Sequence, residues 1–160
     1  MTGKALYTGS FDPMTNGHLD IVKRASRMFK ELTVGVITNP SKKCLFTEQE
    51  RVEMIAEVTA DLDNVKVDTF SGLLADYVNR NGFDAVIRGL RATSDFEYEI
   101  QMAQMNAKLF NEGVESVFLM TSPEYSFISS SMIKEVAFLK GHVEGLVPDI
   151  VLEKITEKYK

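Results

Sequence analysis

Tyr7-Thr8-Gly9-Ser10-Phe11-Asp12-Pro13-Met14-Thr15-Asn16-Gly17-His18 decides how the rest of the chain is read. The stretch continues a short apolar run, Ala5-Leu6-Tyr7, and precedes a segment with helical periodicity. It therefore reads as a strand, a tight polar loop and a helix start. Gly9 and Gly17 allow a sharp turn or a close approach to a ligand. Pro13 fixes one dihedral of the loop and removes a donor. The first N–H groups of the following helix point back into the loop and favour an anion. Ser10 adds a hydroxyl, and His18 brings an imidazole within reach of the same anion. One loop collects the parts of a phosphate site.

The loop is neither a G-x-x-x-x-G-K-[ST] phosphate loop nor a G-x-G-x-x-G dinucleotide fingerprint, since the lysine and the glycine spacing are missing. Thr15-Asn16-Gly17-His18 instead resembles the [TH]-x-G-H signature of the nucleotidyltransferase superfamily. The plain alternative is a strand–helix turn with a capping histidine.

Working outward, apolar and β-branched runs predict strands over 5–8, 32–38, 65–70, 85–91 and 116–120. Helices are expected over 17–29, 48–60, 72–80, 94–110, 131–139 and 148–159. Capping boxes at Thr47/Glu50 and Ser94/Glu97 mark two helix starts, Asn81-Gly82 marks a stop, and Pro148 suits a first turn. Strands alternating with helices imply an α/β fold, a doubly wound five-stranded parallel sheet with helices on both faces. At 160 residues the expectation is a single domain over 1–160. A net charge of −5 argues against a general nucleic-acid surface. Cys44 is the only cysteine, which excludes an internal disulfide and fits a reducing compartment. No apolar run reaches membrane-spanning length and no leader pattern is present, so the cytoplasm is the expected location and no membrane partner is expected.

In such sheets ligands sit beyond the carboxyl ends of the strands. Ser10, Lys42, Leu74 and Ser129 follow four of the expected strands and Arg88 and Arg91 end the other, so five loops should converge on one crevice. Arg88-Gly89-Leu90-Arg91 offers two guanidinium forks around a glycine; the alternative is a pair of surface arginines bound to Asp95, Glu97 or Glu99. Lys42 is a mobile point charge suited to an anionic nucleophile, or else a solvated loop residue. Ser129-Ser130-Ser131 opens a helix and makes a second anion cradle, where a simple cap needs only one serine. The helix over 94–110 carries one apolar stripe through Phe96, Ile100, Ala103, Ala107 and Phe110. A second runs through Tyr98, Met102, Met105 and Leu109. One stripe can face the sheet; the other calls for another subunit or for loops of the same chain.

With these residues in place the chain resembles the bacterial phosphopantetheine adenylyltransferases over nearly its whole length. The resemblance rests on the 7–18 stretch, Pro40-Ser41-Lys42-Lys43, Ile87-Arg88-Gly89-Leu90-Arg91, Asp95-Phe96-Glu97-Tyr98-Glu99 and Tyr125-Ser126-Phe127-Ile128-Ser129-Ser130-Ser131. It implies a Rossmann-like nucleotidyltransferase domain that transfers AMP from ATP to 4′-phosphopantetheine, giving dephospho-coenzyme A and pyrophosphate. It also implies magnesium as cofactor, coenzyme A as feedback inhibitor and a homohexamer. By the same resemblance Ser10, Phe11, His18, Gly89, Leu90, Arg91, Glu99 and Glu124, Tyr125, Ser126, Phe127, Ile128, Ser129, Ser130 belong to the ATP site. Ser10, Lys42, Leu74 and Arg88 belong to the acceptor site, and His18, Lys42, Arg91 and Ser10 carry the catalysis, with no direct protein metal ligand expected. Two rivals are a sister nucleotidyltransferase with another phosphorylated acceptor, such as nicotinamide mononucleotide or glycerol phosphate, and a nucleotide-sensing module without catalysis. The first would lack the apolar lip from Phe70 to Leu74; the second would bind ATP and release no pyrophosphate.

Overall fold

Alternation along β1 (Lys4–Gly9) sets the layers: Ala5 and Tyr7 face one side of the sheet and Leu6 the other, and all three are buried. A strand covered on both faces needs apolar residues at odd and even positions alike, which is how β1, β2 (Glu31–Thr38) and β4 (Ala85–Leu90) read. The computed structural model, which describes residues 3–91 and 93–160, places them in a five-stranded sheet with β3 (Val65–Ser71) and β5 (Glu115–Met120) at its edges. The strand order is β3-β2-β1-β4-β5, and every pair is parallel. The α/β sheet expected from the sequence is therefore present.

α1 (Asn16–Ser26) and α2 (Glu48–Val58) supply Ile21, Val22, Ala25 and Ile55 to the core on the Ala5/Tyr7 face. α3 (Leu74–Asn81) packs Val78 with Leu6, Phe83 and Val86 on the opposite face, which α4 (Thr93–Leu109) extends over β4. A third cluster joins Phe46 and Met54 to α5 (Ser130–Phe138) and α6 (Asp149–Lys158). The turn before α6 also grips the start of α1. Asn16 donates its backbone N–H to Leu146 at 2.9 Å and its side-chain amide to the Gly145 carbonyl at 2.8 Å.

Several element ends differ from expectation, each for a local reason. α1 stops at Ser26, three residues before Phe29, where Asn64 takes the Ser26 and Phe29 carbonyls. α2 stops at Val58 with Thr59 as its cap, and α6 stops at Lys158. β3 runs to Ser71, and α3 begins only at Leu74 because Gly72 lies at φ +86°. On α4 the sheet-facing positions are Glu99, Ile100, Ala103, Asn106 and Phe110, with Glu99 held inward by Arg88; Ala107 is exposed, and Phe96 is exposed while its ring still meets Phe118 of β5 edge-on. The stripe of Tyr98, Met102, Met105 and Leu109 is exposed. The capping box expected at Ser94 lies outside the described side chains.

The order of the sheet also positions the site. From β1 the chain winds outward to β2 and β3, then returns to the other side of β1 as β4. The loops leaving β1 and β4 therefore diverge, and a crevice opens between them. β1–β4 pairing ends at Tyr7 and Ile87, whereas β4 stays paired with β5 as far as Leu90.

Gly82 closes α3 in the left-handed region at φ +64°, with open space where a Cβ would stand. Only backbone conformation is at stake there. Gly82→Ala is expected to lower unfolding free energy by about 1 kcal/mol, and Gly82→Asn by less. Urea denaturation checks the order, and an alanine variant as stable as the parent would refute it.

Candidate active site

The loop after β1 is shaped by its own hydrogen bonds. Phe11 takes φ 49°, an uncommon value for a non-glycine residue, and buries its ring. The ring meets Tyr7 edge-on at 5.4 Å and His18 edge-on at 5.2 Å. Thr15 caps α1: its hydroxyl accepts from the His18 N–H at 3.3 Å, and its own N–H donates to His18 Nδ1 at 3.0 Å. This is a capping box with histidine in the place glutamate or glutamine usually takes. A backbone N–H can only donate, so Nδ1 is the lone-pair nitrogen and the neutral ring carries its proton on Nε2. Burial, and then the nearby Arg91 charge, push the His18 pKa down to about 4. The ring is thus a neutral donor held by its far nitrogen.

Arg88 ends β1–β4 pairing with a fork on Glu99: Nε to Oε2 and Nη2 to Oε1, both 2.7 Å. Burial works to lower its pKa, but the bonds and charge of Glu99 outweigh that, and the net shift is upward. Its Nη1 edge makes only a long bond, 3.4 Å, to the Thr8 carbonyl across the opening between the strands. Arg91 binds Asp95 through Nε at 3.0 Å and the Ile128 carbonyl through Nη1 at 3.3 Å. Both arginines are therefore paired, as the surface alternative held, and both still border a cavity. Burial pushes the Tyr7 phenol well above its usual range while Arg88 and Arg91 pull it back, so it is a neutral hydroxyl.

Two cavities meet at Arg88. The first, about 330 Å³, is bordered by Phe11, His18, Gly89, Arg91, Tyr125, Ile128, Ser129 and Ser130. The second, about 410 Å³, is bordered by Ser10, Lys42, Leu74, Tyr98, Met102 and Asn106. Gly9, Arg88 and Glu99 line both and form the wall between them. Of the expected nucleotide residues, Ser10 borders the second cavity and not the first. Leu90, Glu124, Ser126 and Phe127 border neither; Leu90 is buried in the core and Phe127 is 58% exposed. The serine hydroxyls are used differently from the expected cradle. Ser129 caps α5 by accepting from the Met132 N–H at 3.1 Å, and Ser130 donates to the Pro13 carbonyl at 2.7 Å. What faces the first cavity from α5 is its opening turn, whose earliest N–H groups have no helical partner.

Comparison with known proteins places this geometry. The cytidylyltransferase-like family profile matches residues 6–136. The phosphopantetheine adenylyltransferase of Caldanaerobacter subterraneus subsp. tengcongensis is 53% identical over 156 residues, 98% of this chain and 97% of the relative. That of Clostridium kluyveri is 54% identical over 156 residues, 98% and 94% of the two chains. The chain belongs to the phosphopantetheine adenylyltransferase family. The protein from Clostridium novyi with the same name matches at 53% over 154 residues. As a family member the chain is a nucleotidyltransferase with the Rossmann-like fold its sheet displays.

Two residues of this adenylyltransferase fold, one bordering a cavity and one beneath the loop, carry no mark in the sequence. Asn106 lines the second cavity, is 9% exposed, and its side chain makes no hydrogen bond among the described residues. Its place on the inner face of α4 follows from Glu99 seven positions earlier, a relation visible only once the Arg88–Glu99 pair fixes the helix phase. Arg51, also buried, donates to the Ser10 carbonyl at 2.7 Å and so holds the loop from beneath. No signal short of the fold marks it.

The His18 arrangement has a measurable signature. Ring-nitrogen NMR should find the imidazole neutral, protonated on Nε2, until the pH falls towards about 4. Between that value and the ordinary 6.5 the unfolded chain binds the extra proton and the folded chain does not. Stability contributed by this group therefore rises with pH through that window and is lost as pH falls through it. A ring that titrates near 6.5, or carries its proton on Nδ1, would refute the assignment.

Proposed function

We propose that this chain transfers AMP from ATP to 4′-phosphopantetheine, forming dephospho-coenzyme A and pyrophosphate, with ATP in the first cavity and the acceptor in the second. The observation that carries the reading is the shared wall: Arg88 faces both spaces, with His18 and Arg91 on one side and Lys42 and Ser10 on the other. The second cavity is lined by Ile37, Leu74, Val86, Met102 and Ala103, with the polar Asn106 among them. That favours an extended, largely apolar acceptor arm bearing amides over a compact sugar or glycerol phosphate. The reaction belongs to coenzyme A biosynthesis.

The acceptor phosphate is already a nucleophile, so no general base is required. One of its oxygens forms a bond to the α-phosphorus of ATP as the bond to the β-phosphate oxygen breaks, and pyrophosphate leaves with that electron pair. The protein's task is to bring two polyanions together and to stabilise the charge that grows at the α-phosphate. Lys42 and the Nη1 edge of Arg88, which makes only the long bond to Thr8, hold the attacking phosphate, with the Ser10 hydroxyl beside them. His18 Nε2–H donates to the α-phosphate oxygens. Arg91 and the opening turn of α5 hold the phosphates that leave. Phe11, Gly89, Leu90, Glu99 and residues 124–128 make up the rest of the nucleotide site. Magnesium, when bound, offsets phosphate charge. Among the described residues no three His, Cys, Asp or Glu side chains converge, and Asp95 and Glu99 are held by arginines, so the ion would rest on phosphate oxygens and water.

Residues 1–160 act as one nucleotidyltransferase domain in the cytoplasm, and coenzyme A inhibits by occupying the same crevice. No helix among the described residues is long and apolar enough to cross a membrane. The exposed face of Tyr98, Met102, Met105 and Leu109 is covered in a homohexamer. A monomer in light scattering at micromolar concentration would refute that assembly.

Pyrophosphate release from ATP with a panel of 4′-phosphopantetheine, nicotinamide mononucleotide and glycerol phosphate tests the acceptor. Release with the first alone is expected; no release with any would leave only nucleotide binding. His18→Ala should bind ATP within a few-fold of the parent and transfer AMP at least about a hundredfold more slowly, since the interaction forms mainly in the transition state. Calorimetry and single-turnover rates separate the two effects. Transfer at the parental rate would reduce His18 to a helix cap.

A further inference from the structure

Lys42 lies on a segment that is anchored at its far end by the buried Phe46 and is otherwise tied by few hydrogen bonds. Residues 39–46 fold over an Asn39 turn, in which the Asn39 side chain accepts from the Ser41 N–H at 3.0 Å and the Asn39 carbonyl accepts from the Lys42 N–H at 3.0 Å. Among the described residues, only two hydrogen bonds tie 39–46 to the rest of the chain. The Leu45 N–H donates to Asp12 Oδ2 and the Phe46 N–H to Asp12 Oδ1, both at 2.9 Å. Asp12 is 4% exposed, and the Lys134 ammonium of α5 completes its surroundings at 2.8 Å. The carboxylate lies one residue from Phe11 and two from Ser10, so it joins the loop after β1 to the segment after β2.

We propose that Asp12 is a positioning residue for the acceptor: by holding the Leu45 and Phe46 amides it sets Lys42 opposite Arg88, where both charges meet one phosphate. This rests on reading the second cavity as the acceptor site. His18 takes its hydrogen bonds from Thr15 and none from Asp12, although Phe11 beside Asp12 packs against its ring. The effect of Asp12 therefore falls more heavily on the acceptor than on ATP. A carboxylate offers two acceptor oxygens to two amides and an ammonium; an asparagine of the same shape offers one and turns an NH₂ against a donor. Leaving one buried N–H without an acceptor loosens the segment more than the imidazole.

Asp12→Asn should raise the KM for 4′-phosphopantetheine by about tenfold or more, a loss of the size of one buried amide bond, while the KM for ATP stays within about threefold. If Asp12 acts through Lys42, adding Asp12→Asn to Lys42→Ala should raise the acceptor KM no further than Lys42→Ala alone. Equal changes for both substrates, or full additivity in the double variant, would overturn the proposal and leave Asp12 a stability residue. Where Asp12→Asn does not fold, hydrogen exchange on the parent decides. Saturating 4′-phosphopantetheine should slow exchange at the Leu45 and Phe46 amides, and a non-hydrolysable ATP analogue should not, because coupling between brace and acceptor is reciprocal. Exchange unchanged by the acceptor, or slowed equally by the analogue, would overturn it. The parent's own turnover separates the two failures: no pyrophosphate with 4′-phosphopantetheine refutes the acceptor reading, whereas normal turnover with indifferent amides refutes only the brace.

Discussion

The parting of β1 from β4 after Tyr7 and Ile87 is the constraint on which the site depends. A parallel sheet whose winding reverses must leave its two central strands with connections running to opposite faces. Here that divergence leaves Arg88 at a strand end with no β1 partner, bridged to Thr8 only by a long bond. The guanidinium stands just past the last rung of the central ladder and forms the boundary between two cavities. Each of the other groups reaches the crevice from a loop that owes its direction to the same reversal.

Charge in the crevice is organised by pairing. Arg88 and Arg91 each hold a carboxylate of α4, and this fixes the phase of that helix on the sheet. The pairing keeps the guanidinium planes oriented without exhausting their donors. His18 follows a different rule. Its ring is neutral because its environment is dry and positively charged, and a neutral donor adds polarity without adding a further cation beside Arg91.

Much of this was legible in the sequence. The strand–loop–helix at 7–18 and the βα alternation follow from hydrophobic period and turn chemistry, which are local. Ser10, Lys42, Leu74 and Arg88 reach one cavity because each lies just beyond a strand or, for Arg88, near a strand's carboxyl end, a topological rule that survives errors of two or three residues at element ends. What was not legible depends on phase and on long-range partners. Asn106 reads as an ordinary polar residue of a helix until Glu99 sets which side faces inward. Asp12 reads as a turn aspartate, yet its partners are residues 45, 46 and 134. The serine run reads as a bed of hydroxyls, but local caps and the Pro13 carbonyl claim two of them. Side-chain hydroxyls near a helix start satisfy the nearest backbone first, and no pattern of residue types announces that.

The grip of the Gly145–Leu146 turn on Asn16 gives the tail of the chain a part in the chemistry it never touches. The family profile ends at 136, so these contacts lie outside the shared module, yet they pin the residue that opens the helix bearing His18. A transplant confined to the shared module would carry every group that meets a phosphate and would lose the clamp on that helix, with Phe46 stripped of its covering. The groups that meet the phosphates and the chain that steadies them are thus not the same length: the terminal segment is a foundation, and it acts on the helix bearing His18 through backbone carbonyls that Asn16 reaches.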